Sequence, residues 1–167
     1  MVFKVIKYNL CSRDLYLELA QNTIRLLKEN KTLCLFTMGK EKSCFLEIIA
    51  SEYLNIDLQK ISLNKLTDEE KERIKQFEHK LNTDFQNKLF IFDDKSYSIK
   101  QIDRYLTALI AENIKPDLVV IDDIVFISFM GKLKDLYNQL KDLQNKFDVK
   151  LLAFQEKHLM YMAMSLY

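Results

Sequence analysis

Apolar and β-branched residues gather into five short stretches along the chain. They occupy residues 2–6, Leu33–Phe36, Leu89–Phe92, Leu118–Ile121 and 149–154. Runs this short, bounded by polar residues, are the pattern of strands buried on both faces of a parallel sheet. Between them the apolar positions change to a helical period. Leu15, Leu19, Ile24 and Leu27 predict a helix over 14–28, and Phe45, Ile48, Ile49 and Tyr53 predict another over 41–54. Two capping boxes mark further helix starts: T-D-E-E, in which Thr67 and Glu70 satisfy each other's backbone donors, and S-I-K-Q from Ser98 to Gln101. The second helix is expected to run to about residue 113, and a lysine-rich one occupies 132–146. Residues 55–66 read as irregular.

Strands alternating with helices at this interval mean crossover units and a parallel sheet covered on both faces. An α/β fold with a mainly parallel sheet of about five strands is therefore expected. No linker, repeat or low-complexity tract divides the 167 residues, so 1–167 reads as a single domain.

Composition narrows the function classes. The 25 Lys+Arg and 24 Asp+Glu nearly cancel, so the global balance gives no reason to expect a nucleic-acid binder, although a local basic patch remains compatible with it. Cys11, Cys34 and Cys44 have no paired spacing, and Lys4 and Lys7 interrupt the N-terminus where a signal peptide needs an apolar core. With no apolar run long enough to span a bilayer, a cytoplasmic location is expected. Glycine is scarce: Gly39 and Gly131 are the only two, and Pro116 is the single proline, while Asn and Lys crowd the connecting segments.

The stretch PDLVVIDDI, residues 116–124, carries the first candidate chemistry. A buried strand that ends in Asp122 and Asp123 is how an ATPase presents its Mg²⁺-holding carboxylate. Such a site needs a glycine-rich phosphate loop after the first strand, where backbone N–H groups turn onto the phosphates and a Lys and a Ser/Thr complete the cradle. Residues 8–16, YNLCSRDLY, occupy that slot and contain neither glycine nor lysine.

At this point the sequence resembles a family, the RecA-like ATPase domain of the DnaB-type replicative DNA helicases. NIDLQKISLNKLTDEEKERI, residues 55–74, follows that family's segment between the second and third strands. IIASEYLNIDL, LCLFTM, KLFIFDD and PDLVVIDDI fit collinearly with it from about residue 2 to residue 156. The resemblance implies a RecA-like three-layer sandwich. It places the phosphate-loop Lys near Ser12, the hydroxyl residue near Arg13, the Mg²⁺-aspartate at Asp122 and the polar residue after the fifth strand at Gln155 or Glu156. The catalytic Glu of the family's FSLEM motif falls on Gly39 in FTMGK, with Glu41 two residues later. Ser12, Arg13, Asp122 and Gln155 would thus form a relic ATP–Mg²⁺ site with Asp122 its metal ligand. No catalytic residue and no resident cofactor are expected.

Phosphoryl transfer rests on positioning and charge stabilisation, and losing such groups typically costs on the order of 10²–10³ in rate apiece. The resemblance therefore implies a catalytically inactive DnaB-like domain acting as a binding or regulatory protein in DNA replication or mobile-element replication, with the replicative helicase or another replication protein as partner. A nucleotide sensor, or an ATPase completed by another subunit, is one alternative. Another is a metal-dependent phosphoryl or phosphoacceptor site where Asp93, Asp94, Asp122 and Asp123 meet at the sheet edge, with Ser128 and Lys157 assisting. Against both stands the reading of the acidic pair as a remnant at a strand end, since Mg²⁺ draws on substrate phosphates to complete its shell.

The remaining features have plain readings. His79 and His158 lack ligand-spaced partners, and Cys11 has no identifiable base. Lys132, Lys134, Lys141, Lys146 and Lys150 alternate with Asp135, Asp142 and Asp148, the pattern of a solvated helix, with weak single-stranded DNA contact as the functional alternative and Tyr137 and Phe129 as stacking candidates. Leu159, Met160, Tyr161, Met162, Ala163 and Met164 suit either a core-closing helix or a partner surface.

Overall fold

The computed structural model describes residues 3–8, 12–38, 41–127 and 131–156. The five apolar stretches form one five-stranded sheet in the order β1-β5-β4-β2-β3, with every pairing parallel. Its strands are β1 (Phe3–Tyr8), β2 (Leu33–Phe36), β3 (Leu89–Phe92), β4 (Leu118–Ile121) and β5 (Lys150–Glu156). Six α-helices connect them: α1 (Ser12–Lys28), α2 (Lys42–Leu54), α3 (Leu58–Ser62), α4 (Asp68–Thr83), α5 (Ile99–Ala111) and α6 (Leu133–Phe147).

Side chains alternate across a strand, so each central strand feeds two cores. Cys34, Phe36, Val119, Ile121, Leu151 and Ala153 pack with Ile102, Leu106, Leu136 and Leu140 of α5 and α6. Leu33, Leu35, Val120 and Phe154 face the other way, onto Leu15 and Leu19 of α1, Phe45 and Ile49 of α2 and Phe77 of α4. Three layers result, as the apolar runs require.

Both expected capping boxes are present, Thr67 with Glu70 and Ser98 with Gln101. The helix C-termini explain the asparagines. Asn30, Asn55, Asn64, Asn113 and Asp148 all have φ between 51° and 60°. Each lets the next residue's N–H reach back to a carbonyl in the helix just ended: Lys31 to Leu26, Ile56 to Ser51, Lys65 to Lys60, Ile114 to Leu109 and Val149 to Gln144. Glycine usually fills this left-handed position, and Asn tolerates it best among the others. In a chain with two glycines, α1, α2, α3 and α5 end on asparagine and α6 on Asp148.

The segment expected to be irregular contains α3. Asp57 caps it by accepting the Gln59 N–H at 2.8 Å. At five residues it is too short to show a helical period.

Candidate functional site

In a parallel sheet the ligand edge is the carboxyl end of the strands. Asp122 follows β4 directly, and its N–H donates to the Phe36 carbonyl at 3.1 Å, extending the ladder by one residue. The side chain is therefore aimed across the ends of β2 and β4. It is 1% exposed. One carboxylate oxygen, Oδ1, accepts the Met38 N–H at 2.7 Å, and Oδ2 accepts the Tyr16 hydroxyl at 2.5 Å. Tyr16 comes from the first turns of α1, is 6% exposed and packs edge-on against Phe45 of α2 at a centroid distance of 6.2 Å. Asp122 thus joins β4, the β2–α2 connection and α1.

Gln155 is handled in the same way on the opposite face of the sheet. It is 1% exposed, and its Oε1 accepts the Tyr137 hydroxyl at 2.7 Å. Tyr137 belongs to α6 and is half-buried, which pushes its hydroxyl pKa up from the ordinary value. A ring committed to Gln155 is no open stacking platform. Sequence reasoning singled out Asp122 and Gln155, named Tyr137 only as a stacking candidate, and missed Tyr16 and both hydrogen bonds. Their spacing looked like ordinary amphipathic helix, and only the folded register brings Tyr16 to a residue 106 positions away.

The other edge carboxylates are also engaged within the protein, Asp93 and Asp123 by backbone donors and Asp94 by a tyrosine hydroxyl. Asp93 Oδ2 accepts the Lys42 N–H at 2.9 Å at the start of α2. Asp94 accepts the Tyr105 hydroxyl at 3.2 Å while its own N–H donates to the Tyr97 hydroxyl at 2.7 Å. Asp123 caps the short 3-10 turn Ile124–Phe126 by accepting the Val125 N–H at 3.0 Å. Among the described residues no group of three or more His, Cys, Asp or Glu is placed to hold a metal.

Ser12 and Arg13 open α1 as its first two residues, and their side chains lie outside the described residues. Cys11, Gly39, Ser128, Phe129, Lys157, His158 and the apolar stretch 159–164 also lie outside them, as does the Glu156 side chain. Glu41, the alternative base, is exposed and is the N-cap residue of α2, with its carboxylate near the Ser43 hydroxyl at 3.3 Å. His79 is exposed on α4, without a metal-ligating neighbour among the described residues. Cys34 is buried and burial pushes its thiol far up, so it is an inert core residue.

Two concavities lie away from this edge. A cleft of about 460 Å³ runs between α1 and strands β2, β4 and β5, with Arg25, Lys31 and Lys150 balanced by Glu18, Glu29 and Asp117. A groove of about 320 Å³ between α2, α3 and α4 is lined by Leu46, Ala50, Ile61, Ile74, Phe77 and Leu81, with Glu47 and Glu78 beside them. No helix among the described residues is long and apolar enough to cross a membrane.

The strand order and the three layers are those of a RecA-like fold. More narrowly, it is the fold of the DnaB-type helicase ATPase domain. One solved ATPase domain superposes with a TM-score of 0.74 at 15% identity, over 91% of this chain and 56% of that one. A DnaB-like replicative helicase, solved with attention to its interactions with primase, gives 0.72 at 16% identity, over 91% of this chain and 38% of that one. The chain thus spans well under two thirds of either. No protein-family model matches the sequence, and no curated protein does.

Proposed function

We propose that this protein is a non-hydrolysing relative of the DnaB-type helicase ATPase domain that acts as a binding or regulatory protein in DNA replication or mobile-element replication. One observation carries the reading. Both polar residues that would face a nucleotide, Asp122 and Gln155, are buried and bonded to tyrosine hydroxyls of the protein itself. A carboxylate that already accepts an N–H and an O–H would have to exchange them for a metal, and no glycine-rich loop is present to hold the phosphates that normally complete a Mg²⁺ shell. The lost loop and the lost glutamate act together, because positioning and charge stabilisation are most of what phosphoryl transfer requires.

The partner this reading favours is a replicative helicase subunit, since a chain with the same fold can stand where a ring neighbour would stand. That step is an analogy from fold. Primase, the partner of one structural neighbour, is the second protein to test. The α2–α3–α4 groove is the apolar surface available for such a contact, with Leu63 beside it at the end of α3 and 61% exposed.

Titration of the labelled protein into the replicative helicase of its own cell, followed by anisotropy, tests the proposal. Saturable binding is expected, weakened at least tenfold by Leu63→Asp or Ile61→Asp, with no ATP turnover by this protein alone. Turnover that disappears in Asp122→Asn would overturn the reading in favour of a surviving ATPase. Absence of binding to both helicase and primase would remove the proposed role.

A further inference from the structure

The lysines of α6 alternate with aspartates in sequence, and the structure shows where those aspartates go. Both Asp103 carboxylate oxygens take the Lys146 ammonium at 2.6 Å. Asp148 takes Lys115 at 2.6 Å. Asp135 accepts the Lys132 N–H at the start of α6, where the helix dipole offsets its charge. Among the described residues this leaves Lys100 and Arg104 on α5 and Lys132, Lys134 and Lys141 at α6 exposed, none of them in an ion pair, against two exposed carboxylates not engaged in this way, Asp142 on α6 and Glu112 at the C-terminal cap of α5. The two helices lie in one layer on the same face of the sheet. A nearly neutral molecule therefore carries a basic face.

We propose that this α5–α6 face binds the phosphate backbone of duplex nucleic acid without reading its sequence. Unpaired, exposed cations on adjacent helices are the electrostatic footprint of such binding. Lys100 and Arg104 are one turn apart, and Lys134 and Lys141 two turns, or roughly 10 Å at the helical rise, so the charges are spread along the layer rather than gathered at one point. Single strands are held largely by bases stacking on aromatic rings, and among the described residues the rings on this face are already engaged within the protein, the half-buried Phe147 carrying the Lys146 ammonium 4.9 Å from its centroid. Phe92 and Tyr105 lie tilted against each other at a centroid distance of 4.3 Å, Tyr97 is buried, and Tyr137 is bonded to Gln155. Cations without stacking rings favour duplex over single strand. This inference does not depend on helicase binding, which uses the opposite layer.

The test is the affinity of the full chain for a short labelled duplex of mixed sequence, measured by anisotropy across a salt series. With about four phosphates neutralised, log Kobs is expected to fall against log salt with a slope of about −3 to −4. Lys134→Glu with Lys141→Glu should weaken binding at least tenfold and flatten the slope by about two. Lys65→Glu with Lys75→Glu, exposed on the other layer, should leave both unchanged. All four side chains are exposed, so far-UV circular dichroism and the unfolding midpoint should stay at wild-type values. Absence of duplex binding at low salt, or binding that the α6 pair leaves unaltered, would overturn the proposal. So would tighter binding to a single strand of equal length, or equal competition by an acidic polypeptide, which would assign the face to a protein partner.

Discussion

At the scale of single residues, the polar groups at the ends of β4 and β5 are bonded within the protein. Asp122 was singled out from PDLVVIDDI, and Gln155 or Glu156 through the family resemblance, as the polar residue after the last strand. Their present partners were not, because a hydrogen bond between Tyr16 and Asp122 is a property of packed α1 and β4 rather than of any local pattern. The asparagines were legible as abundant but not as purposeful. Each was visible only as a polar connector until the backbone showed φ values near 55° at the helix ends. That assignment gives a prediction. Asn55 ends α2 at φ 52° with its N–H on the Ser51 carbonyl. Asn55→Ala is expected to destabilise the protein by about 1 kcal/mol, the cost of a Cβ in the left-handed region without the local polar compensation of Asn. Asn55→Gly should be neutral or stabilising. Urea midpoints of the two variants check this, and equal destabilisation by both would remove the backbone explanation.

At the scale of elements, the sequence carried most of the fold. β2, β3 and β4 begin and end where the apolar runs do; in the central β2 and β4 burial on both faces leaves no polar position to blur the limits, while the half-buried edge strand β3 is bounded by Lys88 and Asp93. Both capping boxes placed their helices to the residue, since the cap is local chemistry. Strand order was beyond reach, as nothing in a single run says which neighbour it takes. The elements are also tied by carboxylates at their ends. Asp117, just before β4, accepts the Thr32 N–H at 2.8 Å and pairs with Lys31 at 3.3 Å, joining the starts of β2 and β4. Partial burial pushes its carboxyl up, but the Thr32 N–H and Lys31 outweigh this and hold it below the ordinary value. A carboxyl whose folded pKa is depressed contributes stability that is present above its unfolded value, near 4, and is lost as pH falls through the folded value. The urea midpoint of the wild type should therefore decline on acidification below about pH 4, the unfolded carboxyl value. In Asp117→Asn that decline should be shallower and stability at neutral pH lower. An identical acid limb in the variant would show that Asp117 contributes no part of it.

At the scale of the whole molecule, a helicase-type ATPase fold stands without the loop that defines its chemistry. The fold does not depend on such a loop, because its two cores lie within the layers on either face of the sheet. The site is not, since a nucleotide needs the loop and the edge together. Tyr16 and Tyr137 donate hydrogen bonds to Asp122 and Gln155 and tie both polar groups into the structure. The direct measurement is thermal unfolding of the purified protein with and without millimolar ATP or ADP and Mg²⁺. A nucleotide at ~100 times its Kd would add about 2.7 kcal/mol, raising the midpoint of a domain this size by roughly 5 °C or more. The account predicts no nucleotide-dependent shift. A Mg²⁺-dependent rise of that size, lost in Asp122→Asn, would contradict it and show that the edge still binds nucleotide.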